Sequence, residues 1–177
     1  LRDREEVVKI GMRHKEAVYT TKEMLALEKD LMRMVKEGAS GQWNQVSSRV
    51  LDSVSDARVT MKPEQREALY HITQKTGTIA SVTGMAGTGK TFMLDATREV
   101  LEASGYRVMG AALAGKAAEG LEEGSGIKSS TIASLLKRLE LGQEVLNHKT
   151  VLVLDEAGMV GTRQMHQVMS ATHKAGA

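Results

Sequence analysis

The sequence predicts an α/β protein in which a parallel sheet is flanked by helices. Three observations predict it. Short apolar, β-branched runs occur at residues 78–83, 107–112 and 151–154. Between and after them lie segments with helical apolar spacing, at 91–104, 115–123, 131–141 and 162–174. A glycine-rich turn joins the first run to its helix. Short strands alternating with helices give βαβ units, whose crossovers bring the strands parallel and cover both faces of the sheet.

Taken in order, the first elements lie outside this pattern. Residues 1–57 read as a helical N-terminal segment and residues 58–177 as the α/β domain. Thr20 and Glu23 offer a capping box, with Thr20 as N-cap. Met24, Leu27, Leu31, Met34 and Val35 then share one helical face, and Gly38 is placed to end the helix. A second helix is expected to carry Trp43, Val46, Val50 and Val54. Pro63 suits the first turn of a third helix, continued by Glu64-Gln65-Arg66-Glu67-Ala68-Leu69.

Composition narrows the class. The chain has 177 residues, 41% of them hydrophobic, enough to bury a real core. Aromatics are only 3%, and eleven Met take over part of the filling. Without cysteine there are no disulfides or thiolate metal sites. No apolar run approaches the roughly 18 residues of a membrane span, and the charged start Leu1-Arg2-Asp3-Arg4-Glu5-Glu6 does not resemble a signal peptide. A cytoplasmic location without membrane insertion is the default expectation. The net charge of +2 is too balanced to announce a nucleic-acid partner by itself. The first residue is Leu rather than Met, so a piece of a longer protein is expected.

The most specific signal is Gly84-Met85-Ala86-Gly87-Thr88-Gly89-Lys90-Thr91, which fits G-x-x-x-x-G-K-[ST], the phosphate-binding P-loop. It follows an apolar run and precedes a helix, the context that the motif requires. Glycines let the backbone wrap phosphates closely, and the N–H groups at a helix start attract the anion. Lys90 is assigned to the β- and γ-phosphates of ATP, and the Thr91 hydroxyl to Mg2+. All eight residues are candidate nucleotide contacts.

A second element lies downstream. Val151-Leu152-Val153-Leu154 ends in Asp155-Glu156. An apolar strand brings adjacent carboxylates to the sheet's C-terminal edge, where phosphates bind. Asp155 is expected to hold Mg2+ and Glu156 to orient and polarise the attacking water. Gln65, early in the third helix, carries an amide that could serve adenine as donor and acceptor, or could equally be a solvated helix residue.

These pieces, in this order, resemble the first motor domain of superfamily 1 DNA helicases of the RecD type, and more narrowly the helicase part of TraA-type conjugative relaxases, the MobF group. The segments that carry the resemblance are Pro63-Glu64-Gln65-Arg66-Glu67-Ala68-Leu69, the P-loop, Gly110-Ala111-Ala112-Leu113-Ala114-Gly115-Lys116, Ser129-Ser130-Thr131-Ile132-Ala133-Ser134-Leu135 and Asp155-Glu156-Ala157-Gly158-Met159-Val160. The resemblance implies a RecA-like P-loop NTPase fold, incomplete here because the family continues beyond residue 177 into a strand carrying Gly-Asp-x-x-Gln. It implies an ATP-driven 5′-to-3′ translocase on single-stranded DNA, working with a second motor domain and a relaxase domain of the same full-length chain. It assigns Gln65 to adenine, and Gly115, Lys116, Ser130 and Thr131 to the DNA strand. Backbone N–H groups and hydroxyls at helix starts can bind phosphates without reading sequence. Lys62 stands where the family usually has Thr, so a hydroxyl cap is lost. Nothing here matches the relaxase: the histidines are unclustered and no Tyr lies in a nicking context.

Two other readings compete. In one, residues 1–57 form a protein-interaction or recruitment module and the nucleotide site is structural. In the other, the chain is a kinase or GTPase. No lysine-rich lid is present, and Asn147-His148-Lys149-Thr150 only superficially resembles a guanine-reading Asn-Lys-x-Asp.

Overall fold

The computed structural model describes residues 6–41, 46–75, 77–84 and 87–177. Strands β3 (Arg107–Ala112), β4 (Ser129–Thr131) and β5 (Thr150–Leu154) form a parallel sheet in the order β4-β3-β5. Around it lie α4 (Lys90–Ala103), α5 (Gly115–Ser125), α6 (Ile132–Glu140) and α7 (Thr162–Ala175). This is the α/β arrangement that the alternating pattern predicts.

Side-chain alternation sorts the two faces. Val108, Val151 and Val153 pack into one core with Ala96, Val100 and Leu101 of α4. Met109, Ala111, Leu152 and Leu154 pack into a second core with Ile132 and Leu135 of α6 and Val168 of α7. The sheet is therefore the middle of three layers. Val100 and Leu101 are fully buried, and each such burial contributes about 1.5–3 kcal/mol.

The orientation of α4 follows from its end. Gly105, at φ +82°, turns the chain, and the Tyr106 N–H returns to the Leu101 carbonyl at 3.0 Å. The chain then enters β3 at once. With α4 packed along the sheet, its N-terminus lies at the edge where β3 and β5 end.

The N-terminal segment departs from expectation. Residues 7–21 are not helical: β1 (Val7–Arg13) and β2 (Glu16–Thr21) form an antiparallel hairpin. His14 and Lys15 both have positive φ, at 50° and 70°. That is the backbone of a primed two-residue turn, which matches strand twist. The β-branched and aromatic residues Val7, Val8, Val18, Tyr19, Thr20 and Thr21 favour strand. The helix start is consequently one residue later than expected. Thr21, not Thr20, caps α1 (Lys22–Ser40) by accepting the Met24 N–H at 3.1 Å.

The helix also runs through Gly38 instead of ending there. Gly38 is buried because the chain at 77–79 crosses it: a Cβ there would lie 2.5 Å from Ile79 Cδ1. The second helix, α2 (Ser48–Ala57), carries Val50 and Val54; Val46 precedes it and Trp43 lies outside the described residues. The third, α3 (Pro63–Tyr70), starts at Pro63 as expected and continues as a π-helical turn over His71–Lys75.

The run at 78–83 is the other correction. It is exposed and forms no ladder in the described structure. Its first N–H, that of Thr78, bonds to the Gly38 carbonyl at 2.9 Å, so the chain leans on α1 and not on the sheet. A β-branched run becomes a strand only where another strand takes its backbone groups, and among the described residues none lies beside this one.

The prefix is packed onto the sheet layer. Leu51 and Val54 of α2 and Leu69 of α3 share the α4 core. Arg58, at the end of α2, pairs with Asp95 at 2.8 Å and Glu99 at 2.6 Å; Arg98 holds the other Asp95 oxygen at 2.8 Å. Burial pushes the Asp95 carboxyl up, but the hydrogen bonds from Arg58 and Arg98 outweigh it and leave it below the ordinary carboxylate value. A lowered folded value means stability that is full above the unfolded value, near 4, and lost as pH falls through the folded one. Asp95→Asn should therefore destabilise by about 1–3 kcal/mol at neutral pH. The deficit should shrink as the pH of urea melts is taken below about 4.

Candidate nucleotide site at the sheet edge

The P-loop ends in two glycines of left-handed backbone, Gly87 at φ +76° and Gly89 at φ +77°. Gly89 is the N-cap of α4. A Cβ at Gly87 would meet nothing within 4 Å, so at that position conformation and not space calls for glycine. Lys90 folds back over the loop, its Nζ donating to the Gly84 carbonyl at 2.7 Å. Its stem lies close against Gly84, where a Cβ would sit 3.4 Å from Lys90 Cγ and Cδ. Loop, helix start and ammonium are thus gathered at one point. Met85 and Ala86 lie outside the described residues.

Thr91 is half-buried at the first turn of α4. Its methyl rests against Gly124 of α5, where a Cβ would lie 2.3 Å from Cγ2 and 3.8 Å from Oγ1. The methyl therefore takes the contact with α5, and the hydroxyl is the more distant branch.

Asp155 closes β5. Its N–H bonds to the Ala111 carbonyl at 3.0 Å, which carries the strand pairing one residue past Leu154. By strand alternation it shares the face of Val151 and Val153, the face that α4 covers. Its Oδ1 accepts the Glu156 N–H at 2.9 Å. Asp155 and the α4 N-terminus thus occupy the same edge and the same side of the sheet. Glu156 is exposed and sits at φ 50°, ψ 38°, a left-handed backbone that a side chain disfavours.

Gln65 is turned to the loop. Its Nε2 donates to the carbonyls of Thr88 at 3.0 Å and Gly89 at 3.2 Å, and its Oε1 accepts the Lys62 N–H at 2.9 Å. The amide, whose donor and acceptor were expected to serve adenine, here bonds to backbone through both its nitrogen and its oxygen. By taking the Lys62 N–H, the same acceptor makes the N3-to-N-cap half of a capping box at the start of α3.

The residues expected at DNA lie along the same edge, at the helix starts that follow β3 and β4. Gly115 opens α5 and Lys116 is exposed beside it. Thr131 caps α6, its Oγ1 accepting the Ser134 N–H at 3.1 Å. Ser130 Oγ accepts from Arg138 Nη2 at 3.0 Å, and Arg138 Nη1 donates to Ser134 Oγ at 2.7 Å. Arg138, four residues after Ser134 on α6, thus links Ser130 to Ser134, a contact that the sequence reading did not name.

Among the described residues, no three His, Cys, Asp or Glu side chains gather to hold a metal. Magnesium is commonly held by one or two protein groups, with phosphate oxygens and water completing the shell. A threonine hydroxyl and a single strand-end carboxylate fit that donor set. Among the described residues no helix is long and apolar enough to cross a membrane.

The profile of a family described as an AAA domain matches residues 60–177. The chain is 43% identical over 167 residues to a protein named probable conjugal transfer protein TraA from Sinorhizobium fredii. It is 41% identical over 161 residues to a conjugal transfer protein TraA from Rhizobium radiobacter, and 42% identical over 161 residues to one from Agrobacterium fabrum. Each alignment covers 91% of this chain and 14% of the relative, so the chain spans about one seventh of the length of these relatives. The relatives agree with the resemblance read from the motifs.

The backbone of Glu156 makes a prediction. Replacing a non-glycine residue at positive φ relieves about 1–2 kcal/mol, offset by about 0.4–1 kcal/mol of added chain entropy. Glu156→Gly should raise the midpoint of denaturant unfolding, by up to about 1 kcal/mol in stability. A lower midpoint would show that the side chain, not backbone strain, dominates there.

Proposed function

The chain belongs to the AAA domain family, and from that premise we propose that it is the ATP-binding part of a DNA helicase motor that serves conjugative plasmid transfer. The observation that carries this reading is the shared placement of the two halves of the site. A left-handed glycine loop with Lys90 at the α4 N-terminus lies on the same edge and the same side of the sheet as the strand-end carboxylate of Asp155. Supporting it are the relatives, named as conjugal transfer proteins.

In this reading the loop N–H groups and the α4 dipole bind the β- and γ-phosphates of ATP. Lys90 exchanges its bond to the Gly84 carbonyl for a phosphate oxygen. The Thr91 hydroxyl and Asp155 would hold magnesium, which when bound would neutralise charge developing on the phosphates. Glu156, exposed at the end of β5, orients the attacking water. Gly115, Lys116, Ser130 and Thr131, joined by Arg138, contact the phosphates of single-stranded DNA. The 5′-to-3′ movement belongs to the longer protein, with its second motor domain and relaxase domain.

The reading of the prefix as a recruitment module draws less support. Its apolar face is partly used within the chain: Met34 is 2% exposed and touches Ser170 of α7.

Calorimetry with ATPγS and magnesium should give a binding isotherm for the 177-residue chain and none for Lys90→Ala at an unchanged melting temperature. No heat from the unsubstituted chain would end the proposal. Binding to a single-stranded oligonucleotide should weaken steeply with salt. Lys116→Ala should reduce the log–log slope by about 0.7, the loss of one phosphate contact. A slope that does not change would remove Lys116 from the DNA surface.

A further inference from the structure

We propose that Gly124 is a positioning residue of the nucleotide site: the gap it leaves in α5 seats the Thr91 methyl and thereby fixes where the Thr91 hydroxyl points. The inference rests on the assignment of Thr91 to magnesium above and deepens it, by naming the residue that orients that ligand.

The gap is specific to one position. α5 carries three glycines, Gly115, Gly120 and Gly124. A Cβ at Gly115 or Gly120 would meet nothing within 4 Å, whereas one at Gly124 would lie 2.3 Å from Thr91 Cγ2, 3.3 Å from its Cβ and 3.8 Å from its Oγ1. Glycine inside a helix is less favourable than alanine. At Gly124 the Thr91 methyl supplies a steric reason for it.

The two helices are tied together beside this contact. Arg98 of α4 donates from Nε to the Ser125 carbonyl at 2.9 Å, one residue beyond Gly124. Ser125 is itself 1% exposed, and its Oγ donates to the Leu121 carbonyl at 2.6 Å. A clash at Gly124 therefore falls on the Thr91 side chain and not on the spacing of the helices.

Stereochemistry decides the consequence. The threonine Cβ bears a methyl, a hydroxyl and a hydrogen, and χ1 has three staggered wells. Rotation moves the three substituents round in a fixed cyclic order. Here the methyl faces α5 and the hydroxyl holds a second position. With Gly124→Ala, the position facing α5 has room only for the hydrogen. One well meets that condition, and it carries the methyl into the place that the hydroxyl holds now. An apolar group then stands where the oxygen was. Thr91→Ser keeps the hydroxyl, loses the methyl and still fits the phosphate-loop pattern. Its single oxygen can stay in place beside Gly124→Ala.

Calorimetry with ATPγS, once in magnesium and once in EDTA, tests this in the unsubstituted chain, Gly124→Ala, the double variant Thr91→Ser with Gly124→Ala, and Gly120→Ala. Melting temperatures are recorded for each. Gly124→Ala should bind roughly 10–100-fold more weakly in magnesium, the usual effect of misorienting a metal ligand, and unchanged in EDTA. The double variant should recover binding in magnesium to within about threefold, the most that freedom among three wells can remove. Gly120→Ala should melt higher and bind as the unsubstituted chain does. Equal losses with and without magnesium in Gly124→Ala would overturn the proposal in favour of a displaced loop. Unchanged affinity of Gly124→Ala in magnesium would overturn it too, as would a double variant no better than the single one. Failure of Gly124→Ala to fold would show that the helices part before Thr91 turns, and would end it as well. If the unsubstituted chain binds no ATPγS, the nucleotide reading itself fails. If it binds equally in magnesium and EDTA, the metal assignment of Thr91 fails. In both cases this inference falls with its premise.

Discussion

The burial of α4 against the sheet is the constraint on which the site depends. Ala96, Val100 and Leu101 are fully buried, and the chain reverses directly from Leu101 into β3. Because the C-terminal end of α4 is held by both contacts, its N-terminal end has little freedom in where it falls. A close-packed interior transmits position along a helix without slack. Lys90 and Thr91 are the first residues of that helix. Their placement is thus set by apolar contacts a few turns away, to which Lys90 adds its bond to the Gly84 carbonyl.

The sheet contributes through small residues. Gly110, Ala111 and Ala112 lie in succession in β3, and both alanines are fully buried. A Cβ at Gly110 would stand 2.0 Å from Ser129 Oγ and 2.9 Å from Leu121 Cδ2. The neighbouring strand and helix use that missing volume. β4 can therefore bring Ser130 and Thr131 to the edge beside the start of α5, which aligns the helix starts that follow β3 and β4. Larger residues in β3 would thicken the layer and move those N-termini outward.

Much of the sheet layer was legible in the sequence because its signals are local. A buried parallel strand reads as a short apolar run, and β3 and β5 fall where such runs occur. The helices α4 to α7 follow from apolar spacing. The P-loop was legible because glycine, lysine and threonine at fixed spacing have few other uses. What was missed depends on partners. The hairpin was hidden by a charged, Met-rich composition, and its turn places His14 and Lys15, not glycine, at positive φ. The run at 78–83 has strand propensity but, among the described residues, no strand beside it. The contact made by Gln65 was hidden for the same reason. Its chemistry names a donor and an acceptor, but only the three-dimensional contact shows that they meet the loop backbone and α3.

The prefix helix joins the two halves of the site. Toward its end, the Gly38 carbonyl receives the Thr78 N–H, and the chain from there leads into the P-loop. Along its length α1 meets α7, the helix that follows the acidic pair. Glu23 pairs with Arg163, with Arg163 Nη2 at 2.9 Å from Glu23 Oε2; Asp30 pairs with His166 at 2.8 Å, and Glu37 with His173 at 3.4 Å. The carboxylates recur every seven residues, about two helical turns, so they lie along one side of α1. Exposed pairs of this kind are screened by solvent, so they set alignment more than strength. The strength comes from burial, chiefly of Met34 beneath α7. One helix outside the α/β layer thus touches both the segment that enters the phosphate loop and the helix that leaves Asp155 and Glu156.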